Sequence, residues 1–465
     1  MTDVEAILEN ARYLREVRPL DPAEICEYVA GQPHPAVVRQ TIREHAVELG
    51  VRELEDGTFV PVGDGSVSPA GSDVERFPEA YAARFEDRLA DRYGPDWHRG
   101  DSGDRLRARI DRLKEAYFAD EAVEYDALTA DAYALYHLPD YYAAVQYVLE
   151  DLAGDGLLPR RLRVLDVGAG VGGPALGLND FLSADSLVEY AAVEPSAAAD
   201  VLEWLLVETR PGFDASVHRE TAGAHDPDGP YDLVLLGNIL SELDEPVVVA
   251  DRYLDSLADA GTLLVLSPAE ERTATRLREV ERALLARRDD VTVYAPTVRL
   301  WPDHEPEDRG WTFRREPALA VPAFQRRLDR AAGGDGAYVN VDVQFAYLLA
   351  RTDDRRAVEY DPDPAEVARM AEMDAHVTDR IDLVALKLSP DLAAEGNPLF
   401  KVSDGSEVVD HYAVLTREST LNEALPRAPY GALLRFENVL VLWNDDEEAY
   451  NLVVDDETVV DRVAP

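Results

Sequence analysis

The residues Val164-Leu165-Asp166-Val167-Gly168-Ala169-Gly170-Val171-Gly172-Gly173 carry the densest chemical signal in the chain. A buried strand, VLDV, runs into a glycine-rich turn, and PALGLNDFL opens a helix behind it. Gly168 and Gly170 let the backbone turn sharply and approach a ligand with no side chain in the way. Ala169 and Gly172 complete the turn, and the helix start offers unpaired N–H groups. Asp166 stands just before the glycines, where it can orient the loop and take an amino group. Glu194 ends the next strand, AAVEPS, where its carboxylate can accept from two ribose hydroxyls. Asn238 ends a later strand, YDLVLLGN, at the carboxyl edge where open α/β sheets bind ligands. This set suits a cofactor that carries a nucleoside and an amino group.

A lone glycine-rich turn also occurs in dinucleotide-binding proteins. Together with Asp166, Glu194 and Asn238 it resembles the class I methyltransferase pattern, whose cofactor is S-adenosylmethionine. The resemblance implies that Asp166, Gly168, Ala169, Gly170, Gly172, Glu194 and Asn238 bind that cofactor. Methyl transfer needs an acceptor held in line with the sulfonium and often little else, because the cofactor supplies the chemistry. Methylation of cytosine carbon 5 would need a cysteine nucleophile. The single cysteine, Cys26, lies far outside this stretch and argues against that mechanism. Amine methyltransferases often place prolines and an aromatic after the strand. Asn238-Ile239-Leu240-Ser241 lacks them, so Asn238 is a weak catalytic candidate opposite an exocyclic amine. No general base stands out.

The elements that hold these residues follow from periodicity. Over 161–353 strand and helix patterns alternate, as in a parallel sheet wrapped by helices. RLRVLDVG, VEYAAVEP, YDLVLLGN and GTLLVLS are its strands, and AYVNVDVQFAYLLAR supplies the terminal ones. Residues 76–160 are helical and dense in tyrosine, with Tyr133, Tyr136, Tyr141, Tyr142 and Tyr147. Most read as packing residues, although a helix before the first strand can also lie over a cofactor. Residues 1–62 read as helix, turn, helix and hairpin, the order of a winged helix; a capping or protein-docking module has the same pattern. Asp21-Pro22 starts one helix, Val37, Val38, Ile42, Ala46 and Leu49 share a face of the next, and Asp56-Gly57 turns the hairpin. Residues 63–75 form a Gly/Ser-rich linker. Residues 354–380 read as a charged helical connector. Residues 381–465 read as five or six short strands with one helix, STLNEALPRAPY, among them. That suggests a small OB-like β-barrel, either a binder of RNA strands or an accessory packing module. The fold class is α/β: a class I methyltransferase Rossmann-like core, N-terminal winged-helix-like and helical segments, and a C-terminal small barrel.

Composition bounds the setting. The 465 residues exceed one hydrophobic core. Forty-six basic against 92 acidic residues give a net charge of −46. Such self-repulsion destabilises a compact chain at low salt and is largely screened in molar salt, where the Debye length is about 3 Å. We read this as adaptation to a salty cytoplasm, as in halophilic archaea. No apolar run is long enough to span a bilayer, and the acidic N-terminus does not resemble a signal peptide, so a cytoplasmic, monomeric protein without membrane contact is expected.

Motifs outside the cofactor loop narrow the resemblance. HLPDYYAAVQYVL (137–149), VLDVGAGVGG, GNILSEL (237–243), Phe324-Gln325-Arg326-Arg327 and VNVDVQFAYLLAR (339–351) resemble the methyltransferase-like assembly factors of the small ribosomal subunit. That family occurs in mitochondria and in bacterial and archaeal relatives, and the resemblance covers about 75–351. It implies a role on the small subunit or its rRNA, with methyl transfer left open. Relatives commonly hold an iron–sulfur cluster on a group of cysteines. YAPTVRLWPDHEPEDRGWTFRREP has none, and His304 cannot replace them, so neither a cluster nor another metal is expected. Relatives also tend to carry an acidic-Pro-Gly turn where this chain has Ser267-Pro268-Ala269. Arg299, Arg309, Arg314, Arg315, Arg326, Arg327 and Arg330, with Trp301 and Trp311 interleaved, are the candidates for RNA contact, because arginine forks phosphate and aromatics stack on bases. Ordinary surface arginines paired with the excess of carboxylates would look the same. Two other readings stay open: a methyltransferase for a protein or small molecule, and a non-catalytic assembly scaffold.

Overall fold

The computed structural model describes residues 3–54, 56–68, 73–302, 304 and 310–463. They form two compact units. One holds the chain up to Gly237 with Tyr253–Gly261 and Pro317–Val343; the other holds Asn238–Arg252, Thr262–Glu316 and the chain from Gln344.

The first unit opens with a small helical module. Helices α1 (Val4–Leu14), α2 (Pro22–Tyr28), α3 (Pro35–Glu44) and the single turn α4 (Ala46–Leu49) precede a hairpin of β1 (Val51–Glu53) and β2 (Phe59–Pro61). Asp21 caps α2 by accepting from the Ala23 N–H, and Pro22 sits in the first turn, where no N–H is needed. Ile7, Leu20, Ile25, Val38, Ile42, Leu49 and Phe59 form its buried core. Arg39 and Arg43, the cations of α3, are both ion-paired with Glu53 on β1. The helix that would read a nucleic acid therefore has its charge neutralised within the module. Of the expected linker, 69–72 lie outside the described residues.

Helices α5 (Glu79–Tyr93), α6 (Gly100–Ala119) and α7 (Ala127–Gly154) follow. Phe77, Phe85, Trp97, Leu106, Leu135, Leu138 and Phe324 are buried in their shared core. The alternating part then begins: β3 (Arg161–Val167), α8 (Gly173–Phe181), β4 (Leu187–Val193), α9 (Ala198–Leu206), β5 (Phe213–His218) and β6 (Tyr231–Gly237). These strands are parallel in the order β5-β4-β3-β6. The apolar runs of β3, β4 and β6 suit strands covered on both faces, whereas β5 at the edge is polar and partly exposed. Helix α10 (Pro246–Leu254) leads to β7 (Leu257–Pro268), which continues from the first unit into the second. Helix α11 (Glu271–Arg287), β8 (Thr292–Ala295), β9 (Arg314–Glu316), α12 (Ala323–Arg330) and β10 (Val343–Arg351) complete the core.

In the second unit β10 runs antiparallel to β7 and to β8. Parallel β5-β4-β3-β6 and the triplet β7-β10-β8 with a reversed β10 are the class I methyltransferase Rossmann-like topology. The same unit ends in a barrel of β11 (Arg380–Lys387), β12 (Leu399–Ser403), β13 (His411–Leu415), β14 (Leu433–Asn444) and β15 (Ala449–Val454). The order is β11-β12-β13-β15-β14, β14 pairs back with β11, and β13 and β15 are parallel. A five-stranded closed barrel with that connectivity is OB-like. β16 (Val459–Arg462) adds to β14, and α13 (Ala424–Arg427) is a single turn inside the stretch expected as a helix.

One expectation is overturned. Residues 354–380 are not a helical connector: they are irregular except for a 3₁₀ segment at Met370–His376, itself interrupted at Glu372. Asp361-Pro362-Asp363-Pro364 explains this. Each proline removes a donor and pushes the preceding residue out of the helical region. Asp363 then turns the chain by accepting from the Ala365 N–H.

Candidate functional site

The glycine turn lies at the carboxyl ends of β3 and β4. Gly168, Gly170 and Gly172 all have positive φ, at 72°, 55° and 93°, a region open to glycine at little cost. The Gly168 and Ala169 N–H groups donate to the Val193 carbonyl at 2.8 and 3.2 Å. Glu194 grips the turn: Oε2 accepts from the Gly170 N–H and Oε1 from the Ser196 N–H, both at 2.9 Å. A carboxylate has about four lone-pair sites, so Glu194 keeps capacity for ribose hydroxyls. A Cβ on Gly170 would meet nothing nearer than the Gly168 carbonyl oxygen at 3.9 Å, so the turn is an open cradle.

Of the two parts expected of Asp166, holding the loop is not seen in its contacts. That task falls to Glu194. Asp166 is fully buried, and one carboxylate oxygen accepts from the Tyr190 hydroxyl while Oδ1 has no partner. Burial pushes its carboxyl up to about 7, against the pull of the Tyr190 hydrogen bond. An orphaned buried acid two residues before the turn fits a cofactor with an ammonium group. S-adenosylmethionine would be held by Gly168–Gly172, Glu194 and Asp166; when bound it supplies an electrophilic methyl group.

A second cluster lies on α7 and includes Tyr133 and Tyr141, two of the tyrosines expected to pack or to lie over a cofactor; its His137, Asp140 and Asn340 were not singled out. Gly173 opens α8 so close to α7 that a Cβ there would stand 2.7 Å from Tyr141 Cβ. The Tyr141 ring stacks on His137 at 5.2 Å and 12°, Tyr133 follows at 4.8 Å from His137, and Tyr125 lies 5.4 Å from Tyr133. The Tyr125 carbonyl accepts from the Ala197 N–H, just past Glu194. This aromatic row thus runs from the loop after β3 to the loop after β4. His137 Nδ1 lies 3.4 Å from Asp140 Oδ2, and Asn340 Nδ2 donates to the same oxygen at 3.0 Å. Burial raises the Asp140 carboxyl despite the opposing contacts of His137 and Asn340, and Oδ1 has no partner.

Pro139 explains how Asn340 gets there. A proline inside α7 cannot donate to the carbonyl four residues back, that of Leu135. Gln325, wholly buried on α12, takes up the carbonyl: Nε2 donates to Leu135 at 3.0 Å, to Tyr136 at 3.1 Å and to Asn340 at 3.2 Å. Its Oε1 accepts from the Asn340 N–H at 3.1 Å. The proline in HLPDYY and the glutamine in FQRR were the available signals.

The remaining candidates scatter. Asn238 has a left-handed φ of 61° and donates its N–H to the Leu266 carbonyl at 2.9 Å, which accounts for asparagine at a turn. Trp301 is 3 % exposed and donates Nε1 to Asp404 at 2.8 Å, so it is a core residue and no stacking platform. Arg299 pairs with Glu281 and Arg314 with Glu316, each largely buried. Trp311 is half-buried, stacked on Phe313 with Nε1 donating to Ala269. Arg315, Arg326, Arg327 and Arg330 are exposed, and Arg309 lies outside the described residues. Among the described residues, no three His, Cys, Asp or Glu side chains converge as a metal site, and no helix is long and apolar enough to cross a membrane.

Residues 132–320 match a methyltransferase-domain family. With the topology and the glycine cradle, this makes the core a class I methyltransferase domain with S-adenosylmethionine as its cofactor. Residues 4–55 and 371–463 match the N-terminal and C-terminal domains of a family described as of unknown function, DUF8157. No curated protein matches the chain. Similar solved structures include the CcbJ methyltransferase from Streptomyces caelestis, 23% identical with a TM-score of 0.23, over 29% of this chain and 52% of that one. The plantazolicin methyltransferase BpumL, in complex with SAH, is 10% identical over 59% of this chain and 98% of its own, with a TM-score of 0.31. A putative methyltransferase from Thermoplasma acidophilum is 11% identical over 42% and 70%, with a TM-score of 0.28. The chain thus spans about half the length of CcbJ.

Proposed function

We propose that the protein is an S-adenosylmethionine-dependent methyltransferase that acts on the small ribosomal subunit or its rRNA. The observation that carries the enzymatic part is the open cradle of Gly168–Gly172 held by Glu194, with the buried Asp166 carboxyl, one oxygen without a partner, just before it. Support for the ribosomal part comes from the motif resemblance, from an OB-like barrel on the same chain, and from the exposed Arg315, Arg326 and Arg327. OB-folds take single strands along a face of the barrel. Trp301 is withdrawn from the set of RNA contacts, Arg299 and Arg314 act first as partners of glutamates, and the exposed Arg327 also pairs with Glu86 at 2.8 Å.

Two measurements test this reading. Tritiated methyl from labelled cofactor should appear in small subunits incubated with the protein in molar salt, and the protein should sediment with those subunits. Replacing Arg315, Arg326 and Arg327 with Ser should release it while leaving cofactor binding intact. Sedimentation without transfer would favour a scaffold, and transfer to a metabolite with no sedimentation would favour a small-molecule enzyme. Asn238→Gly separates a side-chain role at the acceptor from the backbone turn, since glycine loses the amide but keeps the positive φ, whereas Asn238→Ala loses both.

A further inference from the structure

The barrel leaves one of its outer faces open. Side chains on its strands alternate between inside and outside. Phe400, Val402, Ala413, Val441, Leu452 and Val454 belong to the barrel core. Their neighbours in sequence point outward and register as two rows across four strands. One row is Leu399–Val414–Val453–Leu440, and the other is Lys401–Tyr412–Asn451–Leu442. Leu399, Val414, Val453, Leu440 and Tyr412 are each partly exposed, and Leu442 is 37% exposed. The outward side chains of β11 are treated differently: Val384 and Leu386 are buried in one apolar cluster with Val298, Leu300 and Trp301. The same barrel thus buries one apolar outer face and leaves another to solvent. A grouped, exposed apolar patch with a polar rim marks an interaction site.

We propose that this face docks a basic protein segment with an apolar centre; this rests on the ribosomal reading above and assigns the barrel's contact to a protein of the small subunit, not to its rRNA. An OB-fold takes its ligand on the second and third strands, between the loop joining the first two strands and the loop joining the last two. Here those strands are β12 and β13, and the loops are 388–398 and 445–448. The first loop carries Asp391 and Glu395, the second Asp445, Asp446, Glu447 and Glu448, and neither carries a cation. A nucleic-acid groove needs positive charge along the backbone track and aromatic platforms for the bases. The one cation in the two rows, Lys401, is 1% exposed and paired with Asp410 at 2.5 Å. The one aromatic, Tyr412, donates its hydroxyl to the same Asp410 at 3.2 Å. Arg417 and Arg427, between β13 and β14, pair with Asp456 and Glu423. Phosphates would meet carboxylates at both ends of this face. Lysines and arginines of a protein would meet them as contact pairs, which a Debye length of about 3 Å in molar salt leaves standing. Size selects among proteins. Each row spans three strand spacings, about 14 Å, and the rows stand about 7 Å apart. That footprint is far below the roughly 800 Å² a side of a stable dimer. A second copy of the chain would also set carboxylates against carboxylates. One extended segment crossing the strands fits both the size and the charge.

Two arms test the proposal on the full chain in molar KCl. In the first, the photo-crosslinker benzoylphenylalanine replaces Leu442 in one protein and Val453 in another. Each is irradiated with purified small ribosomal subunits, and the attached peptides and nucleotides are identified by mass spectrometry. Both positions should attach to one segment of a small-subunit protein, with lysine or arginine on either side of apolar residues. Attachment to rRNA, to an acidic segment or to a second copy of the chain overturns the proposal. So does sedimentation with the subunits without attachment from either position. Failure to sediment at all overturns the ribosomal reading, and the second arm then judges the face without a ribosome. Its probes are a short synthetic peptide of alternating valine and threonine with two arginines at each end, the same peptide with glutamates at its ends, and an oligouridylate. Binding is read by fluorescence anisotropy. The arginine peptide should bind, and the other two at least tenfold more weakly. Val414→Ser with Val453→Ser should weaken the arginine peptide at least tenfold while S-adenosylhomocysteine affinity stays within twofold of wild type. Leu442→Lys, at the exposed end of its row, repeats the test should the double variant unfold. An arginine peptide that does not bind, that binds the folded variants as well as wild type, or that is matched by the oligouridylate overturns the proposal.

Discussion

Asp166→Asn probes the cradle most directly. The carboxyl is fully buried, with one oxygen on Tyr190 and the other without a partner, and burial pushes it up to about 7 from an ordinary 3.8. A raised acid prefers to be neutral in the fold. As pH climbs past about 4 the unfolded chain releases this proton first, so the folded state loses stability until about pH 7, where both states are ionised. A rise of about three pH units at about 1.4 kcal/mol each sets a ceiling of about 4 kcal/mol on that loss. Asparagine is neutral throughout, but its amide N–H groups would sit where Oδ1 finds no partner, at a cost of about 1–3 kcal/mol. The free variant should therefore be about 1–3 kcal/mol more stable than wild type above pH 7 and less stable near pH 4. Its melting temperature relative to wild type should climb through that window and then level. Cofactor affinity moves the other way, because the variant cannot offer an anion to an ammonium: S-adenosylhomocysteine should bind at least tenfold more weakly. Scanning calorimetry in molar salt at several pH values, with and without S-adenosylhomocysteine, reads both effects. A melting difference that does not vary with pH, or undiminished affinity in the variant, refutes the assignment.

Four further expectations follow from single contacts. Glu194→Ala removes the acceptor for the Gly170 and Ser196 N–H groups and should lower S-adenosylhomocysteine affinity at least tenfold by calorimetry, more than Glu194→Gln, which keeps one acceptor. Trp301→Ala should cost about 3–5 kcal/mol in urea unfolding, because it empties a core site and removes one of the donors to the buried Asp404. Gly177→Ala should destabilise by about 1–3 kcal/mol instead of gaining helix propensity, since the new Cβ would lie 2.4 Å from Val145 Cγ1 and 2.5 Å from the Tyr142 carbonyl oxygen; a higher melting temperature would contradict the α7–α8 packing. With a net charge of −46, the melting temperature should rise steeply between about 0.1 M and 2 M KCl, and a flat response would remove the salt-adaptation reading.

What could be read from the sequence was local. The strand, glycine turn and helix at 164–181 announce themselves because positive φ at Gly168, Gly170 and Gly172 is a backbone demand that one residue type meets. Glu194 was legible as an acidic residue ending the next strand, and its neighbour β3 is fixed by the same alternation. The barrel was legible as alternating segments between acidic turns, and its closure through β11 and β14 is what such a set does to abolish its edges. The failures were of two physical kinds. Residues 354–380 read as a charged helical connector, while Pro362 and Pro364 keep that stretch out of a helix. Trp301 among arginines looked like a stacking surface because its partner Asp404 is 103 residues further on.

The α7 cluster shows why the remainder was hidden and what would have exposed it. A proline in a helix interior leaves one carbonyl without its donor, and a buried carbonyl must find another. The sequence therefore states a debt at Leu135 but not who settles it. Gln325, 190 residues away, does so, and its second function is to carry Asn340 to Asp140 and so to fix His137. A side chain held in place by satisfying a backbone defect can order a second segment with its remaining polar atoms, as Gln325 does for Asn340. Pro139, Gln325 and Asn340 thus form one unit with His137 and Asp140, although they fall on three segments of the chain. That is the physical reason no single stretch of sequence announces the cluster: its members lie on α7, on α12 and in the loop before β10, and they meet only because the Leu135 carbonyl needs a donor from outside its helix.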